Sequence, residues 1–308
     1  MEISLLLMQQ IAQLFLILIM GYAVVKAGLL KASDSRVLSV VMVYLVTPCV
    51  IINAFQIDDT PEIRKGLLYS MAIAAAIHVV LLVLSALLSR PLKLDAVEQV
   101  NVIYSNAAAL VIPLVKALMG DAYVIYSCAF IIVQLVLLWT HASSLLQGSS
   151  ALDWKKVLTN INMIAIFAGV LLFLLQIQLP APVQDAVDSI SSMVGPMGML
   201  ILGMLIAEMD LKKLMSYHRL WWITLLRLVG IPLIGIVLLK YSSLAALVPE
   251  GRTILLVTLL AICTPSASTL TQMAQVYGKD ADYASAINVV TTLLCIVTMP
   301  LMVALYQM

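Results

Sequence analysis

Apolar runs of about 20 residues recur from one end of this chain to the other, and they constrain the fold more than any other feature. Each is long enough for a helix to cross a hydrocarbon core of about 30 Å. Hydrophobic residues fill 63% of the 308 positions and charged residues only 11%, against about 25% charged in soluble domains. A soluble fold of this length could not cover so much apolar surface, so the chain reads as an all-α polytopic membrane protein lodged in the cell membrane. With charged or Pro/Gly-rich breaks as boundaries, ten spans are expected. They lie near 4–25, 35–56, 66–89, 96–119, 121–146, 155–177, 182–207, 215–240, 250–275 and 281–306. The N-terminal stretch "MEISLLLMQQ" carries Glu2 where a cleavable signal would be basic, and reads as a retained first span.

The net charge of +1 and the lack of a basic run exclude a nucleic-acid partner. Cys49, Cys128, Cys263 and Cys295 lie far apart inside apolar segments and read as small buried hydrophobes, neither a disulfide frame nor a metal site. Lys26, Lys31, Arg36, Arg90, Lys93, Lys155, Lys156, Lys212, Lys213, Arg219 and Lys279 fall in the odd-numbered loops. Arg64, Lys65, Lys116, Lys240 and Arg252 fall on the other side, eleven against five. The positive-inside rule then puts both termini outside the cytoplasm.

Ten spans divide into five and five, over 1–150 and 151–308. Gly21 and Pro48 lie 27 residues apart in the first two spans, and Gly169 and Pro196 repeat that separation 148 residues later. Pro113 precedes "MGDAY" in the fourth span's exit, as Pro265 precedes "YGKDADY" in the ninth's. An odd number of spans per half forces opposite orientations, an inverted repeat of the kind found mainly in secondary transporters. In such proteins substrate binds where discontinuous helices of the two halves meet near the midplane. Here the matched, proline-interrupted segments are "NVIYSNAAALVIPLVKALMG" (101–120) and "LLAICTPSASTLTQMAQVYG" (259–278). They nominate Asn106 and Pro113 on one side, and Pro265, Ser266, Ser268 and Thr269 on the other, as the substrate-binding set. A proline alone would merely kink a helix, and Ser and Thr often bond their own backbone carbonyls; the pairing is what points to a site.

Several stretches together resemble the auxin efflux carrier family. They are "YSNAAALVIPLVKALMGDAYVIYS" (104–127), the segments at 164–206 and 225–235, and "MAQVYGKDADYASAINVVTTLLCIVTMPLMVAL" (273–305). The resemblance implies ten helices in two inverted five-helix repeats, with the fourth and ninth broken and crossed, as in bile-acid symporters and sodium/proton antiporters. It implies a scaffold of spans 1, 2, 6 and 7 and a moving domain of spans 3–5 and 8–10. It implies an organic anion as cargo: malonate, malate or an auxin-like acid. The long central loop of many plant members is missing, which argues against auxin itself. The alanines of "NAAALVIP" depart from the glycines or hydroxyl of many relatives.

Individual residues sharpen the expectation. Arg227 is the charged residue placed well inside a span, where it costs several kcal/mol. It reads either as counter-charge to a carboxylate, or as a structural group on freed carbonyls near Pro232 or a snorkelling side chain. His78 in the third span reads as a proton relay or, more plainly, a neutral helix-to-helix hydrogen bond. Asn53, behind Pro48, is placed beside the pathway and joins the substrate-binding set. Gln134 and Asn288 are expected to support the broken helices or coordinate a coupling ion, sodium or a proton. His141 and His218 read as interface groups, the many Met as packing, and Asp280 and Asp282 as solvated. No resident cofactor or certain metal site is expected, and a homodimer through the scaffold stays open. Among rivals, a receptor would bind at the same crossing without transport, and a channel would carry unitary currents. An intramembrane enzyme lacks HExxH, GxSxG or paired membrane aspartates to support it.

Overall fold

The computed structural model describes residues 2–57, 60–148, 158–159, 161–208 and 217–308, with the main chain alone for residues 2–11, 117 and 121. Among them the regular elements are helical. We label the helical units α1 (Glu2–Lys26), α2 (Ala32–Ala54), α3 (Pro61–Ser89), α4a (Ala96–Ile103) with α4b (Ala107–Met119), and α5 (Val124–Gln147). Then follow α6 (Ile161–Leu174), α7 (Ala181–Ala207), α8 (Leu220–Lys240), α9a (Gly251–Cys263) with α9b (Ser268–Val276), and α10 (Ala281–Gln307). Six of these, α2, α3, α5, α7, α8 and α10, are long and apolar enough to cross a membrane by length and composition, and shorter apolar helices lie in the other four. The basic residues Lys155, Lys156, Lys212 and Lys213, used for orientation, lie outside the described residues.

Proline chemistry shapes several units. Pro48 and Pro232 each lack an N–H and crowd the carbonyl four residues back. The chain answers both times with a π turn just upstream: Met42–Val46 in α2, closed by Thr47 N–H on the Met42 carbonyl, and Leu226–Gly230 in α8, closed by Ile231 N–H on the Leu226 carbonyl. At the far ends of α4b and α9b, Gly120 (φ 99°) and Gly278 (φ 64°) take the positive φ that stops a helix without a Cβ penalty. These are the glycines of "MGDAY" and "YGKDADY".

Two sets of helices emerge from the packing. In one, α1 lies along α7, and α2 lies against α6 and the start of α7. Close backbone approach makes the first contact: Gly21 faces the Leu200 main chain and Gly203 faces the Leu18 carbonyl. Gly169 of α6 meets the ring of Phe55 at the end of α2. In the other set, α3 packs on α5, α9a on α3, α5, α8 and α10, and α9b on α10. The sets meet where α2 and α6 touch α5, where α7 touches α4b, and where α1 touches α4b and α10. The contact of α1 and α7 with α4b and α10 is apolar: Leu14, Phe15, Leu18 and Met199 face Leu110, Leu114, Thr292, Cys295, Ile296 and Met299 around a gap of about 20 Å³, room for about one water.

Long-range side-chain hydrogen bonds among the described residues stay within one set or the other. Within the first set, the Ala32 N–H donates to Glu208 and the Leu179 N–H donates to Gln56. Within the second, Arg219 grips the buried Glu98 through two nitrogens at 2.6 and 2.8 Å, and the Tyr283 hydroxyl adds a bond at 3.1 Å.

The close approach of α1 and α7 is testable. Gly203→Ala would press a methyl group on the Leu18 carbonyl, where overpacking costs about 1–3 kcal/mol. Gly198→Ala would meet Met42 and Ala109 at an ordinary 3.5 and 3.9 Å. Thermal unfolding of the detergent-purified variants is expected to fall for the first and hold for the second; equal midpoints would contradict the tight α1–α7 contact.

Candidate functional site

α9a stops at Cys263 because the next residue, Thr264, precedes Pro265 and is forced to an extended backbone (φ −69°, ψ 156°). α4a stops at Ile103 without a proline: Tyr104 is extended at φ −92°, ψ 129°. The two interruptions cross and pair. Ser105 and Ser266 form an isolated antiparallel bridge. The Asn106 N–H donates to the Pro265 carbonyl at 2.8 Å and the Ala267 N–H to the Tyr104 carbonyl at 3.1 Å. Each broken strand thus satisfies part of the other's backbone, as a buried main chain must be satisfied.

Side chains from neighbouring helices complete the accounting. From α5, Gln134 Oε1 accepts from the Ser105 N–H (3.0 Å) and hydroxyl (2.7 Å), while Nε2 donates to the Ser105 carbonyl at 2.8 Å. From α10, Asn288 Nδ2 donates to the Ser266 carbonyl at 2.6 Å, and the Thr291 hydroxyl accepts from the Ser266 N–H at 3.2 Å. The Ser266 hydroxyl donates to Asn101 Oδ1, and Asn101 anchors itself on the Val97 carbonyl. Tyr104 reaches a π turn within α5 (Leu138–Ala142), its hydroxyl donating to the Leu137 carbonyl at 3.1 Å and lying 2.9 Å from His141 Nδ1.

Arg227, held in the α8 π turn and fully buried, bonds main-chain carbonyls of both broken helices. Nη1 donates to Val102 (3.1 Å) and Ile103 (3.5 Å), and Nη2 to Ile262 (3.1 Å) and Thr264 (2.8 Å). These are the C-terminal carbonyls of α4a and α9a, the negative ends of their dipoles. Of the roles weighed for Arg227, its contacts match the structural one, with its partners at the crossing rather than near Pro232. The opposite ends, at α4b and α9b, have no such side-chain partner from their own N-cap residues: neither Asn106 nor Ala267 makes a side-chain cap bond. Ser268 is exposed, and Asn106, Ala108, Ala109 and Thr269 are half-buried around those ends.

The nominated residues therefore separate. Asn106, Pro265, Ser266, Ser268 and Thr269 lie at or next to the crossing, braced by Gln134, Asn288 and Arg227. Pro113 is not at the break: it lies inside α4b, seven residues past Asn106, roughly 10 Å along the axis. Its ring faces the position where a Gly195 side chain would stand, on the contact between the two helix sets. Asn53 is also elsewhere, joining α2 to α7 through Asp188 (2.6 Å) and Gln184 (2.6 Å). His78 is buried, its Nδ1 2.8 Å from the Ala74 carbonyl one turn back and its ring 4.8 Å from that of Phe130; the bond stays within its own helix. Asp280 caps α10 through the Tyr283 N–H. Sequence reasoning missed Asn101 and Thr291, although both stand in the polar pattern of their spans, "NVIYSN" and "NVVTT".

A family model described as "Membrane transport protein" matches the chain over residues 6–152 and 149–303. The chain belongs to this family. It is the auxin efflux carrier family that the sequence motifs resemble, and membership together with the apolar helices makes the chain a multi-pass membrane protein of transport type. No curated protein matches it.

The bracing of the crossing predicts unequal costs. Gln134→Leu strips all three Ser105 groups of a partner, at about 1–3 kcal/mol for each one left unpaired. Asn288→Leu strips one. Thermal unfolding is expected to rank Gln134→Leu well below Asn288→Leu, and the reverse order would contradict this backbone accounting.

Proposed function

We propose that this protein is a secondary transporter of a small organic anion, working by elevator-type alternating access. The observation that carries the reading is the crossing itself, where two helix N-termini converge beside accessible Asn106, Ser268 and Thr269. Each N-terminus carries about half a positive charge, and anions bind such ends readily. With the C-terminal ends neutralised by Arg227, the accessible face of the crossing is electropositive and rich in neutral donors, which suits a carboxylate such as malonate, malate or an auxin-like acid.

Two further features support the mechanism. The hydrogen bonds described above lie inside one helix set or the other, and the surface between the sets is apolar with small residues, Gly195 and Gly198 against Pro113 and Ala109. Sliding one set along the other breaks few polar contacts. In this reading α1, α2, α6 and α7 are the scaffold, and α3–α5 with α8–α10 carry the site. The inverted-repeat reading, 1–150 and 151–308, gains support from equivalent contacts: Gly21 of α1 on α7 mirrors Gly169 of α6 on α2, and Gln134 of α5 on Ser105 mirrors Asn288 of α10 on Ser266. Both termini face away from the cytoplasm on this account.

Thermal-shift screening against mono- and dicarboxylates, followed by uptake of the hits into proteoliposomes, tests the proposal. Stabilisation by a carboxylate without uptake or exchange would sink it in favour of a receptor. For a transported hit, Asn106→Ala is expected to raise KM about tenfold or more, since a hydrogen bond to a charged group contributes about 1.5–3 kcal/mol. Because the Asn106 side chain makes no cap bond, thermal stability is expected to stay near that of the wild type.

A further inference from the structure

We propose that Arg227 is the resident cation of the crossing: its guanidinium takes the helix-end carbonyls that an external cation would otherwise need. In broken-helix transporters, unwound carbonyls and half-helix C-termini are the ligands of coupling cations. Here those ligands, on Val102 and Ile103 of α4a and on Ile262 and Thr264 at the end of α9a, are already bonded at 2.8–3.5 Å to one side chain. The charge balances as well. Two helix C-termini contribute about half a negative charge each, and one guanidinium contributes a single positive charge.

A planar fork suits this place better than a point charge. Nη1 serves α4a and Nη2 serves α9a, so one rigid group sets the spacing between the two broken helices. A buried charge without a carboxylate partner is normally costly. This one is tolerated because its hydrogen bonds reach dipole ends that would themselves be orphaned in hydrocarbon. The same carbonyls mean that an apolar isostere offers no relief, unlike many buried ion pairs, since it would leave them all unpaired. A metal cation coupled to transport would have to bind elsewhere.

The assignment stands whether or not the chain moves an anion, so its test does not read uptake. Full-length wild type and Arg227→Ala are purified in detergent. Thermal unfolding is then titrated with guanidinium chloride at low millimolar levels, against tetramethylammonium chloride at equal ionic strength. Arg227→Ala is expected to unfold at a lower temperature and to regain several degrees, saturably, with guanidinium alone, while the wild type stays flat. A folded Arg227→Ala protein without that saturable response overturns the proposal. Should the alanine variant not fold, Arg227→Lys and Arg227→Met decide. The lysine form, keeping a cation, is expected to unfold at the higher temperature, and a methionine form equal to or above it overturns the proposal.

Discussion

Hydrocarbon offers no partner to a peptide group, so a helix can be broken inside a membrane only where protein or a water-filled cavity supplies the lost hydrogen bonds. That constraint organises this structure. The two interruptions pair with each other through Ser105 and Ser266. Gln134, Asn288 and Thr291 bracket that pair from α5 and α10, and Arg227 closes the carbonyl ends from α8. Gln134, Arg227, Asn288 and Thr291 thus stand on largely apolar helices at the points where the breaks need partners. The N-terminal ends of α4b and α9b have no cap bond from their N-cap side chains, and the proposed binding site rests on them.

The same accounting separates what the proposed motion would keep from what it would remake. Polar bonds knit the crossing to α5, α8 and α10, and a second network knits α2 to α7 through Asn53, Gln184 and Asp188. Between the two networks lies the apolar contact of α1 and α7 with α4b and α10. Dispersion and burial are nondirectional, so such a contact can be remade at another register with little loss. A hydrogen-bonded contact could not.

Much of this was legible in the sequence. The apolar runs located the helices to within a few residues, and Pro265 marked the ninth break because proline acts locally, on its own N–H and on the residue before it. The fourth break was misread for the same reason. Pro113 looked like its counterpart, yet a helix interior can hold a proline where neighbours accommodate the kink, and it sits in α4b. The break at Tyr104–Asn106 has no local breaker; it is set by pairing with Ser266 and by Gln134, contacts between residues far apart in sequence. The partners of Asn53 were illegible likewise, since nothing near Pro48 shows that Gln184 and Asp188 lie across from it. For Arg227 the burial was legible but the partners were not, because carbonyl ends acquire a position only once both helices are broken and crossed.

In the proposed mechanism the crossing moves as a body against α1, α2, α6 and α7. A methyl carbon on Gly198 would stand 3.9 Å from the Ala109 Cβ, within the usual Cβ separation of a disulfide of about 3.5–4.5 Å. Gly198→Cys with Ala109→Cys therefore offers a reversible lock between α7 and α4b. The measurement is carboxylate uptake by the doubly substituted protein in proteoliposomes, oxidised and then reduced. Oxidation is expected to abolish uptake and reduction to restore it. Undiminished uptake by the fully cross-linked protein would contradict the proposed mechanism.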